Sequence, residues 1–249
     1  AIALVGVDQA PSAALLENTG FFPGTNQIDY DDHSKTENTR VSYPLDYIPG
    51  AVIPSVGRIP TNIFFLTCDA FGILPPVSRL TPEQAMYHFI SGYTAKIAGT
   101  EAGISEPKST FSACFGAPFL PLHPAFYARM LGEKIRQHNV RVWLINTGWT
   151  GGAYGKGERI PLSYTRSIIS AILDGKLESC SWKVHPVFHF AMPETCPGVP
   201  DQLLNPEYGW KDPAEYHLNA KELAARFIEN FKKYEQEVPG EILSGAPGI

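Results

Sequence analysis

Ile63-Phe64-Phe65-Leu66-Thr67-Cys68 is the stretch whose reading decides the fold class. It is a short apolar run bounded by turn formers, the pattern of a buried strand. Downstream, Thr81-Pro82-Glu83-Gln84 supplies an N-cap, a proline at the first helical position and acid in the first turn, which predicts a helix from Pro82 to about Ala95. Pro124 to His138 reads as an amphipathic helix, with Phe126, Met130, Leu131 and Ile135 at helical spacing. Arg141-Val142-Trp143-Leu144-Ile145-Asn146 is a second buried strand, and Leu162 to Asp174 is a helix ended by Gly175. Val187 to Phe190 reads as a short strand. A last helix is expected from about Glu215 to Tyr234, with Leu218, Leu223, Phe227, Ile228 and Phe231 on one face. Strands alternating with helices make an α/β protein. Upstream, residues 1–30 read as short strands and turns, with Phe22-Pro23-Gly24-Thr25-Asn26 a turn. The sequence shows no repeat, no low-complexity tract and no domain boundary, so residues 1–249 are expected to form one lobe.

Between the first predicted helix and the next apolar patch lies Ser91 to Phe111, a segment of small, hydroxyl and charged residues with little apolar periodicity. Loops of that length inside a globular sequence are lids, binding loops or linkers.

Composition narrows the function. The chain has 249 residues, 44% of them hydrophobic, with a formal net charge of −5, which argues against a broad electrostatic footprint for nucleic acid. The apolar N-terminus is short and lacks a basic flank, and no later run approaches a membrane helix. Cys68, Cys114, Cys180 and Cys196 are scattered without a Cys-x-x-Cys pair, so reduced thiols in a cytoplasmic protein are expected.

The chemistry-bearing motifs are individually weak. Gly151 to Gly157 is glycine-rich, but Gly157 follows Lys156 where a phosphate loop needs Ser or Thr, so a strand-to-helix connection is the better reading. Arg159-Ile160-Pro161 enters the Leu162 helix, with Thr165 in its first turns. Arg159 is either a solvated arginine or a fork for phosphate or a nucleobase. Arg40 follows a polar turn and suits either an anion or a surface ion pair with Asp31 or Asp32. Asp29, Asp31 and Asp32 lack the glycine and closing glutamate of an EF-hand loop and read as a solvated acidic turn. The seven histidines show no ligand spacing, so no metal site is assigned.

Taken in order, several segments resemble one family. Glu37-Asn38-Thr39-Arg40-x-x-Tyr43-Pro44, Leu66-Thr67-Cys68-Asp69-Ala70-Phe71-Gly72-Ile73-Leu74-Pro75-Pro76-Val77-Ser78 and Leu80-Thr81-Pro82-Glu83-Gln84 are similar to ATP-dependent phosphoenolpyruvate carboxykinase. So are Tyr87 to Lys96, Ala98-Gly99-Thr100-Glu101, Phe111 to Gly116 and Asn146-Thr147-Gly148-Trp149. The resemblance implies the mixed-sheet C-terminal nucleotide-binding lobe of that fold, present incompletely. It implies conversion of oxaloacetate and ATP to phosphoenolpyruvate, CO₂ and ADP in gluconeogenesis, with Mg²⁺ and Mn²⁺. It places Arg40 at the phosphate in transfer, and Arg159, Ile160 and Thr165 at the adenine nucleotide. It makes residues 98–112 the active-site lid.

The family's phosphate loop, metal ligands and substrate arginine fall upstream of the matched stretch, and nothing in residues 1–28, which match poorly, supplies them. The chain therefore reads as a C-terminal part of the enzyme, expected to be inactive alone. The alternative is a truncated, non-catalytic nucleotide-binding or interaction module.

Overall fold

The computed structural model describes residues 14–30, 32, 34, 40–96 and 107–248; for Arg40 only the backbone is described. The chain divides into two compact units, Ala1–Ile59 with Lys96–Glu106, and Pro60–Ala95 with Pro107–Ile249.

In the first unit, β1 (Leu15–Glu17) pairs antiparallel with β4 (Arg40–Ser42), and β2 (Gly20–Phe21) with β3 (Ile28–Asp29). The β2–β3 turn is the one expected at Phe22–Asn26. The Phe22 N–H donates to the Gln27 carbonyl at 2.9 Å, and Gly24 takes the positive φ (+72°) that the reversal needs.

The second unit is built on a five-stranded mixed sheet. Its strands are β5 (Asn62–Thr67), β6 (Val77–Leu80), β9 (Arg141–Asn146), β12 (Trp182–Val184) and β13 (Ala191–Pro193), in the order β12-β13-β6-β9-β5. β5 and β9 run parallel, with Asn62 opposite Arg141 and Thr67 opposite Asn146; the other neighbours are antiparallel. Both buried strands expected from the sequence form, each within one residue of its expected limits.

The pleat of β9 sorts the core. Val142 and Leu144 face a layer formed by α1 (Pro82–Ser91), α2 (Pro124–His138) and α5 (Pro213–Phe231). Trp143 and Ile145 face α3 (Leu162–Leu173), through Ile168, Ala171 and Ile172. A sheet covered on both faces explains why β9 is buried along nearly its whole length instead of alternating with solvent. Short helices α4 (Asp201–Leu204) and α6 (Gly240–Leu243) lie in the C-terminal third of the sequence.

Several expectations need correction. The helix at Pro82 starts as expected, with a reciprocal capping box between Thr81 and Gln84, but it ends at Ser91, not near Ala95. Gly92 adopts the left-handed conformation (φ +54°) and its N–H closes on the His88 carbonyl at 2.9 Å. Tyr93–Lys96 then forms β7, which pairs with β8 (Lys108–Phe111), so residues 108–111 are strand where a loop was expected. Residues 98–106 of the expected lid lie outside the described residues.

α2 occupies its expected range, and of its expected apolar face Ile135 is buried and Leu131 packs half-buried against the core, but the other two residues are not covered. Phe126 and Met130 are exposed, while Ala125, Ala128, Gly132 and Ile135 are buried. A Cβ on Gly132 would press on the Met86 side chain of α1, so small residues set the close approach of the two helices. On α5, Leu218 is 60% exposed, and the helix ends at Phe231, giving way to a tighter turn over Lys232–Glu237.

Val187–Phe190 is a turn, not a strand. His185 is the reason: its Nδ1 accepts the Val187 and Phe188 N–H groups at 3.1 Å, and His189 takes a positive φ (+57°). Phe188 and Phe190 are fully buried from that turn, which is why the run looked like a strand. The glycine-rich loop is also more ordered than a plain connection. It joins β10 (Trp149–Thr150) and β11 (Glu158–Arg159) as an antiparallel hairpin that leads into α3.

Candidate functional site

The carboxyl ends of parallel strands β5 and β9 lie side by side, where open α/β sheets place their ligands. Two buried polar side chains tie these ends together. Asp69, fully buried two residues past β5, accepts the Phe71 N–H (3.0 Å) and the Tyr93 hydroxyl (2.9 Å) at Oδ1, and the Ile73 (2.6 Å) and Leu74 (2.8 Å) N–H groups at Oδ2. Burial pushes its pKa up, and the four donors pull against that. Asn146 ends β9. Its Oδ1 accepts the Asp69 (3.0 Å) and Gly148 (2.8 Å) N–H groups, and its Nδ2 donates to the Leu74 carbonyl at 2.8 Å. Every strong polar function of the pair is thus matched, as burial demands.

Backbone contacts carry this order into the hairpin. Thr147 donates to the Thr67 carbonyl from its N–H (2.9 Å) and its hydroxyl (3.1 Å), and the Trp149 N–H donates to the Asp69 carbonyl at 2.8 Å. The Ile160 N–H donates to the Gly148 carbonyl at 2.8 Å. Glycine is required at 148 because a Cβ there would overlap the Asp69 backbone. Gly72 and Gly152 likewise approach backbone to backbone, so the glycines of the loop serve close packing. Lys156 at its tip pairs with Glu215 at 3.2 Å.

This framework brings Arg159, Ile160 and Thr165 into one short segment. Arg159 is exposed on β11, Ile160 is 4% exposed behind it, and Thr165 is 5% exposed on α3. The Arg159 guanidinium lies 5.6 Å from the Trp149 ring centre, and its Nε donates to the Thr147 carbonyl at 3.3 Å. No side chain caps α3, so the positive end of that helix opens beside Arg159. The charge is felt at the end of β5 as well. Burial raises the Cys68 thiol pKa, while Arg159 and a hydrogen bond from Thr147 pull it down. Arg40 lies on β4 of the other unit, and its side chain falls outside the described residues, as do Asp31 and residues 35–39.

A cleft of about 700 Å³ opens on the hairpin between Gly152, Lys156 and Tyr164 on one side and Tyr208, Trp210 and Glu215 on the other. It does not include Arg159, Ile160 or Thr165. The cationic Lys156 in it is already matched by Glu215, whereas Arg159 has no acidic partner among the described residues. Lys211 also lines the cleft, without an ion pair among the described residues. Among the described residues no cluster of three or more His, Cys, Asp or Glu could hold a metal ion, and Asp69 is fully occupied by its four donors. Among the described residues no helix is long and apolar enough to cross a membrane.

Sequence reasoning did not single out Asp69, Asn146 or Trp149 for their structural roles. The available signal was a polar residue immediately after each apolar strand, Asp69 after Cys68 and Asn146 after Ile145.

The fold and this segment define a mixed-sheet α/β protein with an exposed arginine near the carboxyl ends of two parallel strands. The family model for phosphoenolpyruvate carboxykinase matches residues 8–202, and the chain belongs to that family. It is similar to proteins named phosphoenolpyruvate carboxykinase (ATP). That from Flavobacterium johnsoniae is 58% identical over 234 residues, covering 94% of this chain and 44% of the relative. Those from Caldanaerobacter subterraneus subsp. tengcongensis (55% over 240 residues, 96% and 46%) and Thermus thermophilus (54% over 234 residues, 94% and 44%) are alike in extent. The chain thus spans a little under half the length of these relatives.

Proposed function

We propose that this chain is the nucleotide-side portion of an ATP-dependent phosphoenolpyruvate carboxykinase, an enzyme that turns oxaloacetate and ATP into phosphoenolpyruvate, CO₂ and ADP in gluconeogenesis. The observation that carries the reading is Arg159: an exposed guanidinium, unmatched by any described carboxylate, beside the uncapped start of α3. Such a cation and a helix N-terminus together suit a phosphate-bearing ligand. Ile160 and Thr165 are assigned to the adenosine portion by the family resemblance. Arg40 is assigned to the phosphoryl group in transfer, where a fixed cation stabilises charge on the equatorial oxygens. The Mg²⁺ and Mn²⁺ that the family resemblance implies find no ligand set among the described residues, so no step is assigned to a metal here. The activity is assigned to the cytoplasm.

Titration of the isotopically labelled chain with ATP and Mg²⁺, followed by backbone amide NMR, tests the reading. Shifts confined to residues 147–149 and 159–165 are expected. Shifts centred on Tyr208, Trp210 and Lys211 would move the nucleotide to the neighbouring cleft and overturn it.

A further inference from the structure

The β10–β11 hairpin has two cross-strand pairs, Trp149 with Arg159 and Thr150 with Glu158. Successive pairs of an antiparallel ladder point to opposite faces. On one face the Arg159 guanidinium lies over the Trp149 ring. Thr150 and Glu158 belong to the other face, and they line the cleft of about 700 Å³ that Trp149 and Arg159 do not line. The hairpin therefore separates this cleft from the Arg159 segment, and the cleft has the size of a small-molecule site, about 300–1,000 Å³. Its walls are fixed. A Cβ on Gly151 would stand 2.9 Å from the Gly209 carbonyl oxygen, so the hairpin turn is pressed against the Pro206–Gly209 turn. The Trp210 indole N–H donates to the Gly72 carbonyl at 3.0 Å, and its ring meets Tyr216 edge-on with centroids 5.8 Å apart. With its N–H occupied, Trp210 offers the cleft an apolar ring. The Lys183 ammonium lies 5.5 Å from the centre of the Tyr208 ring, and Tyr164 of α3 adds a third ring to the lining.

Charge decides what fits. Lys156 and Glu215 pair with each other at 3.2 Å. That leaves Glu158 on the hairpin wall and Lys211 on the Trp210 wall, both exposed and neither with an ion pair or hydrogen bond among the described residues. A simple anion would meet Glu158 as a like charge, and a simple cation would meet Lys211 in the same way. A dipolar ligand satisfies both. We propose that the cleft is a second ligand site, which takes a zwitterionic α-amino acid with an aromatic side chain. The ligand's ammonium pairs with Glu158, its carboxylate with Lys211, and its ring packs against Tyr164, Tyr208 and Trp210. This site does not rest on the nucleotide reading above.

The test uses the whole chain and three probes of the same ring: L-phenylalanine, 3-phenylpropanoate, which lacks the ammonium, and phenethylamine, which lacks the carboxylate. Titration followed by backbone amide NMR gives both affinity and place. L-Phenylalanine should shift residues 150–152 and 208–211, and each of the other two probes should bind at least about fivefold more weakly. Glu158→Gln should weaken L-phenylalanine binding to within about twofold of 3-phenylpropanoate, and Lys211→Met should do the same relative to phenethylamine, because each variant removes the charge that tells the two probes apart. Both substitutions are at exposed positions, and the comparison of probes on the wild-type chain stands without them. Absence of L-phenylalanine binding would overturn the proposal. So would equal binding of the three probes, discrimination that survives in both variants, or shifts centred on residues 147–149 and 159–165.

Discussion

His88 should make the second unit lose stability as pH falls, and the size of the loss follows from its surroundings. The ring is 3% exposed on α1, packed against Phe190 at 4.9 Å and Phe227 at 5.2 Å between ring centres, and its Nε2 has no hydrogen-bond partner among the described residues. Burial alone lowers its pKa from 6.5 to about 3. The folded state therefore keeps His88 neutral while the unfolded chain takes up a proton below 6.5. Its contribution is fully present above pH 6.5 and is lost progressively as pH falls toward 3. Between pH 8 and pH 5 the proton-binding ratio of the two states costs about 2 kcal/mol, with a slope near pH 5 of about 1.3 kcal/mol per pH unit. All four tryptophans (Trp143, Trp149, Trp182 and Trp210) belong to this unit, so their fluorescence during urea unfolding reads its stability directly. His88→Phe keeps an aromatic ring and removes the proton site. The stability difference between variant and wild type should widen in the variant's favour by about 2 kcal/mol from pH 8 to pH 5. Parallel pH profiles would show that His88 does not stay neutral in the fold, and the argument from burial would fail.

His185 should behave likewise, because burial first of all lowers its pKa to about 4, and lowering the pH to 5 costs about a further 2 kcal/mol through it. His185→Phe would show a loss of the corresponding slope, along with the cost of the turn that Nδ1 ties. Asn146→Ala strands the Asp69 and Gly148 N–H groups and the Leu74 carbonyl in the interior and should cost about 3 kcal/mol or more in urea unfolding; a loss under about 1 kcal/mol would contradict the matched-junction account. Gly148→Ala should cost about 2 kcal/mol, because its Cβ meets the Asp69 backbone and no flexible side chain can yield. Lys156→Ala removes only an exposed ion pair with Glu215, so stability should change by less than about 0.5 kcal/mol and ATP affinity by less than twofold; a large loss of ATP binding would restore the phosphate-loop reading of the glycine-rich hairpin.

The fold was legible where one residue type or one period decides it. The apolar runs ending at Cys68 and Asn146 mark buried strands, and Thr81-Pro82-Glu83-Gln84 marks a helix start, because each signal is local. The misreadings come from contacts that are distant in sequence. The buried face of α2 is set by Met86 on a neighbouring helix, which demands Gly132 and two alanines where hydrophobicity favours Phe126 and Met130. The turn at Val187–Phe190 is set by one histidine nitrogen that takes two backbone donors, which an apolar pattern cannot reveal. The early end of α1 was written in Gly92, which takes the left-handed C-cap conformation. At the site, Arg159, Ile160 and Thr165 were visible as a segment, but the reason Arg159 is held over Trp149 depends on hairpin register, and register follows from the glycines that allow close packing at 148, 151 and 152.

The central claim is that Arg159 contacts the adenine nucleotide. Calorimetric titration of wild type and Arg159→Ala with ATP and Mg²⁺ tests it most directly. The account predicts measurable binding in wild type that falls by tenfold or more in Arg159→Ala, with both proteins melting at the same temperature within a degree or two. Equal affinity in the two proteins would contradict it.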